Sequence, residues 1–248
     1  MGMKAIVTGH SRGLGAAIAA ELLAHGIAVL GVARGGNATL AAAYPQLLVE
    51  QALDLADGVA VAAWLDGGLG NSLWRDFAAT ADTLLLVNNA GMLQPVGPLA
   101  AQAPGEVLRA VSLNVGLPLA LSSAAAAVRA TRPLRVLHVS SGAARSAYAG
   151  WGVYGATKAA LDQHARAVAL DGSPGVKICS LAPGVIDTDM QAEIRAGSAA
   201  LFPATERFKD LKTDGNLSTP AATAAKMVNY LLADGFGEEP VADLRDLG

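Results

Sequence analysis

Apolar residues in this chain fall into short unbroken runs, separated by longer stretches in which Ala and Leu recur at helical spacing. The runs at 4–8 (KAIVT), 27–33, 47–53, 83–88 (TLLLVN), 135–140 (RVLHVS) and 176–182 read as strands. They are continuous rather than alternating, the pattern of strands covered on both faces. Residues 15–25, 59–64, 106–128 and 153–171 read as helices, with Gly26 placed to end the first and Pro118 disturbing the third. Strand–helix alternation predicts right-handed βαβ crossovers, hence an α/β fold with a doubly wound parallel sheet in a three-layer αβα arrangement. The segment 187–220 breaks the rhythm. It is more polar and charged, and Gly197, Pro203 and Gly215 punctuate it. It reads as an excursion from the sheet inside one domain spanning 1–248, because no shift in composition marks a boundary.

Composition narrows the function classes. A chain of 248 residues with 52% hydrophobic and 16% charged residues has ample material for one buried core. The net charge is −3 and Lys and Arg are dispersed, so nucleic-acid and membrane partners are not expected. No apolar run approaches the ~20 residues of a membrane helix, and MGMKAIVTGH is not a signal peptide, so a cytoplasmic protein is expected. Cys179 is the single cysteine, and His10, His25, His138 and His164 are scattered, so no metal site is expected. Cys179 and His138, both inside strand runs, read as core residues, as do Trp64, Trp74 and Phe77.

The first strand runs into T-G-H-S-R-G-L-G at 8–15 and then into a helix. Gly9, Gly13 and Gly15 allow a tight turn that a pyrophosphate can approach, with free N–H groups at the helix start behind it. Ser11, Arg12 and Leu14 complete this candidate loop. The spacing is G-x-x-x-G-x-G, which departs from G-x-G-x-x-G. A site for NAD needs an acid after the second strand to hold the ribose 2′-hydroxyl. Arg34 stands there instead, and Arg12 lies in the loop. Two guanidinium groups suit a 2′-phosphate, which points to NADP(H).

Tyr154 and Lys158 stand four apart on a predicted helix and so share a face. An ammonium beside a phenol is expected to lower its pKa from about 10 toward the working range. Ser141 lies thirteen residues ahead of Tyr154, just past a strand end.

In combination, T-G-x-x-x-G-x-G at 8–15, N-N-A-G at 88–91, Asn114, Ser141, Y-x-x-x-K at 154–158 and P-G at 183–184 resemble the short-chain dehydrogenase/reductase family, in family order and over nearly the whole chain. The resemblance implies a one-domain Rossmann fold and an NADP(H)-dependent oxidoreductase that reduces a ketone or aldehyde. It implies Tyr154 as the proton donor, Lys158 on the nicotinamide ribose, Ser141 on the substrate oxygen and Asn114 in a proton relay behind Lys158. It also implies Asp54 and Leu55 at the adenine, Asn88, Ala90 and Gly91 along the cofactor, and Pro183, Gly184, Val185, Ile186 and Thr188 over the nicotinamide. A homodimer or homotetramer is implied in the same way, through the helices at 106–128 and 153–171.

A narrower resemblance, in 150–162, 182–191, 211–217 and the tail V-A-D-L-R-D, is to the sepiapterin and benzil reductases of that family. It makes Asp243 a candidate anchor for a pterin; the other reading is a solvated residue flanking a final edge strand. Trp151 either walls the substrate pocket or packs a helix start. Leu93, Gln94 and Met190 are substrate candidates by position. Two other classes stay open at this stage: a non-catalytic NADP(H) sensor, which needs no proton donor, and an epimerase or dehydratase, which needs a longer substrate region.

Overall fold

The computed structural model describes residues 2–67 and 72–247; Met1 and Gly248, the ends of the expected domain, lie outside it. Seven strands form one sheet: β1 (Lys4–Thr8), β2 (Ala28–Ala33), β3 (Leu48–Ala52), β4 (Leu84–Asn88), β5 (Leu134–Val139), β6 (Val176–Ala182) and β7 (Val241–Asp243). Their order is β3-β2-β1-β4-β5-β6-β7, and every neighbouring pair is parallel. This is the doubly wound Rossmann-type sheet expected from the continuous apolar runs.

Successive residues on β1, β2, β4, β5 and β6 feed two separate cores. Ala5, Val7, Leu85 and Val87 face the layer built by α1 (Gly13–Ala24) and α10 (Pro220–Leu232). Ile6, Leu84, Leu86 and Val136 face the opposite layer, with Trp64 of α3 (Gly58–Leu65), Trp74 and Phe77 of α4 (Leu73–Ala79), and Leu117 and Leu121 of α6 (Leu117–Arg129). Burial on both faces is why these strands carry no polar alternation. Gly26 takes a positive φ of 71° just past α1, as the cap reading requires.

The helix expected at 106–128 runs continuously from Pro104 to Arg129, as α5 (Pro104–Val111), a π turn at Ser112–Gly116, and α6. The π turn is the answer to Pro118. A proline lacks an N–H and crowds the carbonyl four residues back, which here belongs to Asn114, and widening that turn relieves the conflict. By length and composition this helix could cross a membrane. Its Leu117, Leu121 and Ala125 instead pack into the core against the sheet.

Five helices were not expected: α2 (Ala38–Ala43), α4, α8 (Asp189–Ala196), α9 (Thr205–Thr213) and α10; β7 is the final edge strand that one reading of Asp243 supposed. The segment 187–220 leaves the sheet after β6, carries α8 and α9, and returns through a bridge between Ile186 and Ser218. The ion pairs from Asp187 to Arg195 and Lys212 hold its two ends together. The remaining long helix is α7 (Gly152–Asp171).

Candidate active site

The chain order reverses between β1 and β4, so their carboxyl ends part and leave a crevice where open parallel sheets bind ligands. A cavity of about 860 Å³ opens there. Its wall at β1 is the glycine loop. No side chain caps α1, so the N–H groups of its first turn face that wall without a side-chain acceptor. Gly15 is obligatory: an added Cβ would stand 2.1 Å from the Gly9 carbonyl oxygen. Asn89 ties the loop to β4, donating its side-chain amide to Thr8 O at 3.0 Å, while the Thr8 hydroxyl accepts the N–H groups of Asn89 and Ala90 at 3.0 Å each. From below, Glu50 on β3 meets His10 Nε2 at 2.7 Å and accepts the Asn37 N–H at 2.6 Å, and Asn37 donates its amide to Ser11 O.

Arg12 and Arg34 both line this end and face solvent. Arg12 pairs with Asp189 of α8 at 3.2 Å. No carboxylate follows β2; the chain continues Arg34-Gly35-Gly36. Asp54 lines the cavity beside Leu55 and pairs with Arg109 at 3.0 Å.

At the far end, α7 presents Tyr154 and Lys158, both buried, with Ser141 opposite at the end of β5. Lys158 donates to Val139 O at 2.7 Å, and its Nζ lies 5.8 Å from the centre of the Tyr154 ring. The expected lowering of the phenol pKa is not found. Burial pushes Tyr154 above its ordinary value, against a smaller opposing pull from the Ser141 hydroxyl. Burial pushes Lys158 down to about 8, opposed by Asp162. The desolvation of both groups outweighs their mutual influence.

Two of the expected site residues do not line the cavity. Asn88 is buried behind it, donating to Ser122 Oγ at 3.3 Å and to His138 Nδ1 at 3.1 Å, and Asn89 takes its place on the wall. Asn114 stands one layer back in the π turn. It brackets the Met92 backbone, accepting from N and donating to O at 2.9 Å each, and donates to Thr157 Oγ1 at 3.1 Å. The remaining expected residues are brought together, including Gly91, the run 183–186, Thr188, Leu93, Gln94, Met190 and Trp151. Trp151 both walls the cavity and packs, stacking on Phe202 at 4.4 Å with an interplanar angle of 12°. Asp243 is neither free nor solvated: it sits on β7, 8% exposed, held by Arg245 through two contacts of 2.8 and 2.7 Å.

Asp162 was not anticipated. It is buried one turn beyond Lys158 and accepts from Ser140 Oγ at 2.7 Å, Ser180 Oγ at 2.8 Å and Arg145 Nε at 3.1 Å. Its i, i+4 spacing from Lys158 was the available signal. Among the described residues, no group of three or more His, Cys, Asp or Glu side chains is placed to hold a metal.

Residues 3–199 match the model of the short chain dehydrogenase family. The chain belongs to that family. Two curated short chain dehydrogenases similar to it are a benzil reductase ((S)-benzoin forming) of Bacillus cereus and a sepiapterin reductase of Meriones unguiculatus. The first is 32% identical over 95% of this chain and 96% of the relative, the second 34% over 97% and 95%. Among solved structures, a short-chain dehydrogenase/reductase from Burkholderia vietnamiensis is 49% identical, with a TM-score of 0.71 over 99% of this chain and 98% of that one.

Proposed function

We propose that this short chain dehydrogenase is an NADP(H)-dependent carbonyl reductase. Its substrate would be a ketone or aldehyde, favouring flat or vicinal dicarbonyl frameworks. The observation that carries the reading is geometric: a buried phenol set beside Ser141 and Lys158 on the cavity wall. A phenol holds its proton at neutral pH, and a positioned one can donate it where a neighbouring ammonium compensates the phenolate.

The residues fit a nicotinamide dinucleotide. The uncapped start of α1 and the glycine loop suit a pyrophosphate. Arg12 and Arg34, with no carboxylate after β2, suit a 2′-phosphate. Bound there, the nicotinamide supplies the hydride. The protein does the rest. Ser141 donates a hydrogen bond to the substrate oxygen, and Tyr154 delivers its proton to the same atom as the alcohol forms. Lys158 places its charge beside the phenol, so that the phenolate left behind is compensated. Asn114, fixed on Met92 and Thr157, holds the backbone against which Lys158 packs. Tyr148, Trp151 and Phe208 give the substrate end aromatic walls, and α8–α9 close over it. Gln94 fastens that cover by donating to Glu193 at 2.7 Å.

A homo-oligomer fits the surface. Leu108 and Val111 on α5 and Leu170 on α7 are exposed apolar side chains on the helices expected to pair.

NADPH oxidation by the purified protein against benzil, diacetyl, sepiapterin and a simple aldehyde tests the reading. Turnover of a dicarbonyl is the expected result. Tight NADPH binding with no turnover of any of the four would overturn it.

A further inference from the structure

Asp243 carries a carboxylate that the fold has fixed in place. Its residue ends β7, where Leu244 N donates to Ala182 O at 2.9 Å, and its side chain is buried in the cavity wall. Both carboxylate oxygens are taken. Oδ1 accepts Arg245 Nε at 2.8 Å and Arg245 N at 3.1 Å, and Oδ2 accepts Arg245 Nη2 at 2.7 Å. This two-pronged pairing is what any guanidine or amidine edge makes with a carboxylate. Arg145 comes to 4.0 Å of Oδ2, but its Nε is bound to Asp162 at 3.1 Å.

The two partners differ in anchorage. Asp243 is 8% exposed, whereas the Arg245 side chain is 71% exposed and runs along Gly184, where an added Cβ would meet its Cγ and Cδ at 3.8 Å. Arg245 therefore lies at the mouth of the cavity, beside the Pro183–Gly184 turn. Arg245 acts as a guanidinium ligand supplied by the chain itself.

We propose that Arg245 determines substrate specificity by occupying Asp243 in cis, so that the cavity rejects carbonyl compounds carrying a cyclic guanidine edge and favours ketones that lack one. The inference rests on the carbonyl-reductase reading and narrows its substrate class. A side chain two residues away competes at an effective concentration on the order of millimolar or higher. An incoming 2-amino-4-oxopteridine must displace that fork before it can reach Asp243. A diketone such as benzil has no donor edge and does not compete for it.

The test compares sepiapterin, a ketone on a 2-amino-4-oxopteridine, with benzil. In Arg245→Leu, the ratio of kcat/KM for sepiapterin to that for benzil should rise at least ~10-fold, and sepiapterin binding by calorimetry should tighten by a similar factor. Adding Asp243→Asn should abolish both gains. Arg245→Lys keeps the charge without the fork and should give an intermediate gain, which carries the test if the leucine variant does not fold. An unchanged ratio and affinity in a folded variant, or a gain that survives Asp243→Asn, would overturn the proposal. A wild-type protein that reduces neither of these, nor diacetyl or a simple aldehyde, would remove the carbonyl-reductase reading, and the calorimetric comparison would still decide the role of Arg245.

Discussion

Lys158 gives its ammonium to the backbone carbonyl of Val139 at 2.7 Å, deep in the wall that also holds Tyr154. Burial pushes this lysine down to about 8, against 10.5 in the unfolded chain. Below pH 8 both states carry the proton and the fold bears the full cost of a buried charge. Between 8 and 10.5 the folded protein sheds the proton first, and the cost fades. That cost is on the order of 3 kcal/mol. Lys158→Met removes it but orphans the Val139 carbonyl, for about 1–3 kcal/mol. The variant should be at least as stable as wild type at pH 7 by denaturant unfolding, while turnover falls at least ~100-fold. A loss of ~2 kcal/mol or more would show that the charge stabilises the fold.

Tyr154→Phe removes the proposed donor and little else, because the ring stays edge-on to Trp151 at 5.3 Å. kcat should fall at least ~100-fold, the scale of general acid catalysis. NADPH affinity should stay within about 3-fold. In wild type, the raised phenol keeps its proton through neutral pH, so the loss of activity on the alkaline side should follow Lys158 and begin near pH 8. Near-full turnover in the phenylalanine variant would refute the assignment.

The sheet was legible because β1, β2, β4, β5 and β6 are apolar runs buried on both faces; β3 (LVEQA) was read from the apolar residues at its ends, although Val49, Glu50 and Ala52 are exposed. β7 was legible only as a final edge strand in one reading of Asp243, because three residues are too short to show a period. α10 carried readable signals, Thr219 as a cap accepting from Ala222 N and Pro220 at its start, but it stands between turn-rich stretches at 214–219 and 234–240. The site was legible at the level of motifs. Where sequence reasoning slipped, the cause was direction or desolvation. Asn88 and Asn89 are adjacent, and strand alternation sends one behind the sheet and the other to the cavity. The Tyr154–Lys158 spacing gives the shared helix face but not the dryness around it, and the dryness decides both pKa values. The partner of Asp243 is two residues along the chain, yet only the fold of the tail shows that Arg245 turns back onto it.

His138 is the buried group whose titration should mark the acid limb of stability. It stands between Asn88 Nδ2 at 3.1 Å and His164 Nδ1 at 3.0 Å, and burial pushes it down to about 3. An unfolded histidine takes its proton near 6.5 and this one does not. Its contribution is therefore complete above pH 6.5 and drains away as pH falls toward 3. His164 is lowered too and acts in the same direction. Between pH 7.5 and pH 5, wild type should lose ~2 kcal/mol of unfolding free energy through His138 alone. His138→Gln should show a smaller drop over the same interval, whatever its stability at pH 7.5. An equal drop would place the titration elsewhere.

Arg34 is exposed at the cavity's outer end and makes no ion pair within 4.0 Å among the described residues. If it holds a 2′-phosphate, Arg34→Ala should weaken NADPH binding by about 10-fold, the low end for a charge-assisted hydrogen bond at a solvated site. NADH, which has no such phosphate, should bind as before. Fluorescence titration of the two cofactors measures both constants, and equal losses would remove the argument for NADP(H).

Asp162 joins three elements: Ser140 beyond β5, Ser180 on β6, and Arg145 in the loop leading to α7. Ser140 is the immediate neighbour of Ser141, so the carboxylate fixes the backbone that aims the proposed substrate hydroxyl. Asp162→Ala leaves two buried hydroxyls and the Nε of the half-buried Arg145, whose Nη2 keeps Ala242 O, without their acceptor, for a cost of about 3 kcal/mol. As a positioning residue it should act on the chemical step more than on binding: kcat about 10-fold lower, with KM for the carbonyl substrate within ~3-fold. Asp162→Asn keeps an acceptor for Ser140 and Ser180 while losing the charge facing Arg145. It should therefore recover most of kcat but only part of the stability. If the asparagine variant is as slow as the alanine variant, the charge itself, through Arg145 or Lys158, governs the site, and the alignment of Ser141 is not what Asp162 provides.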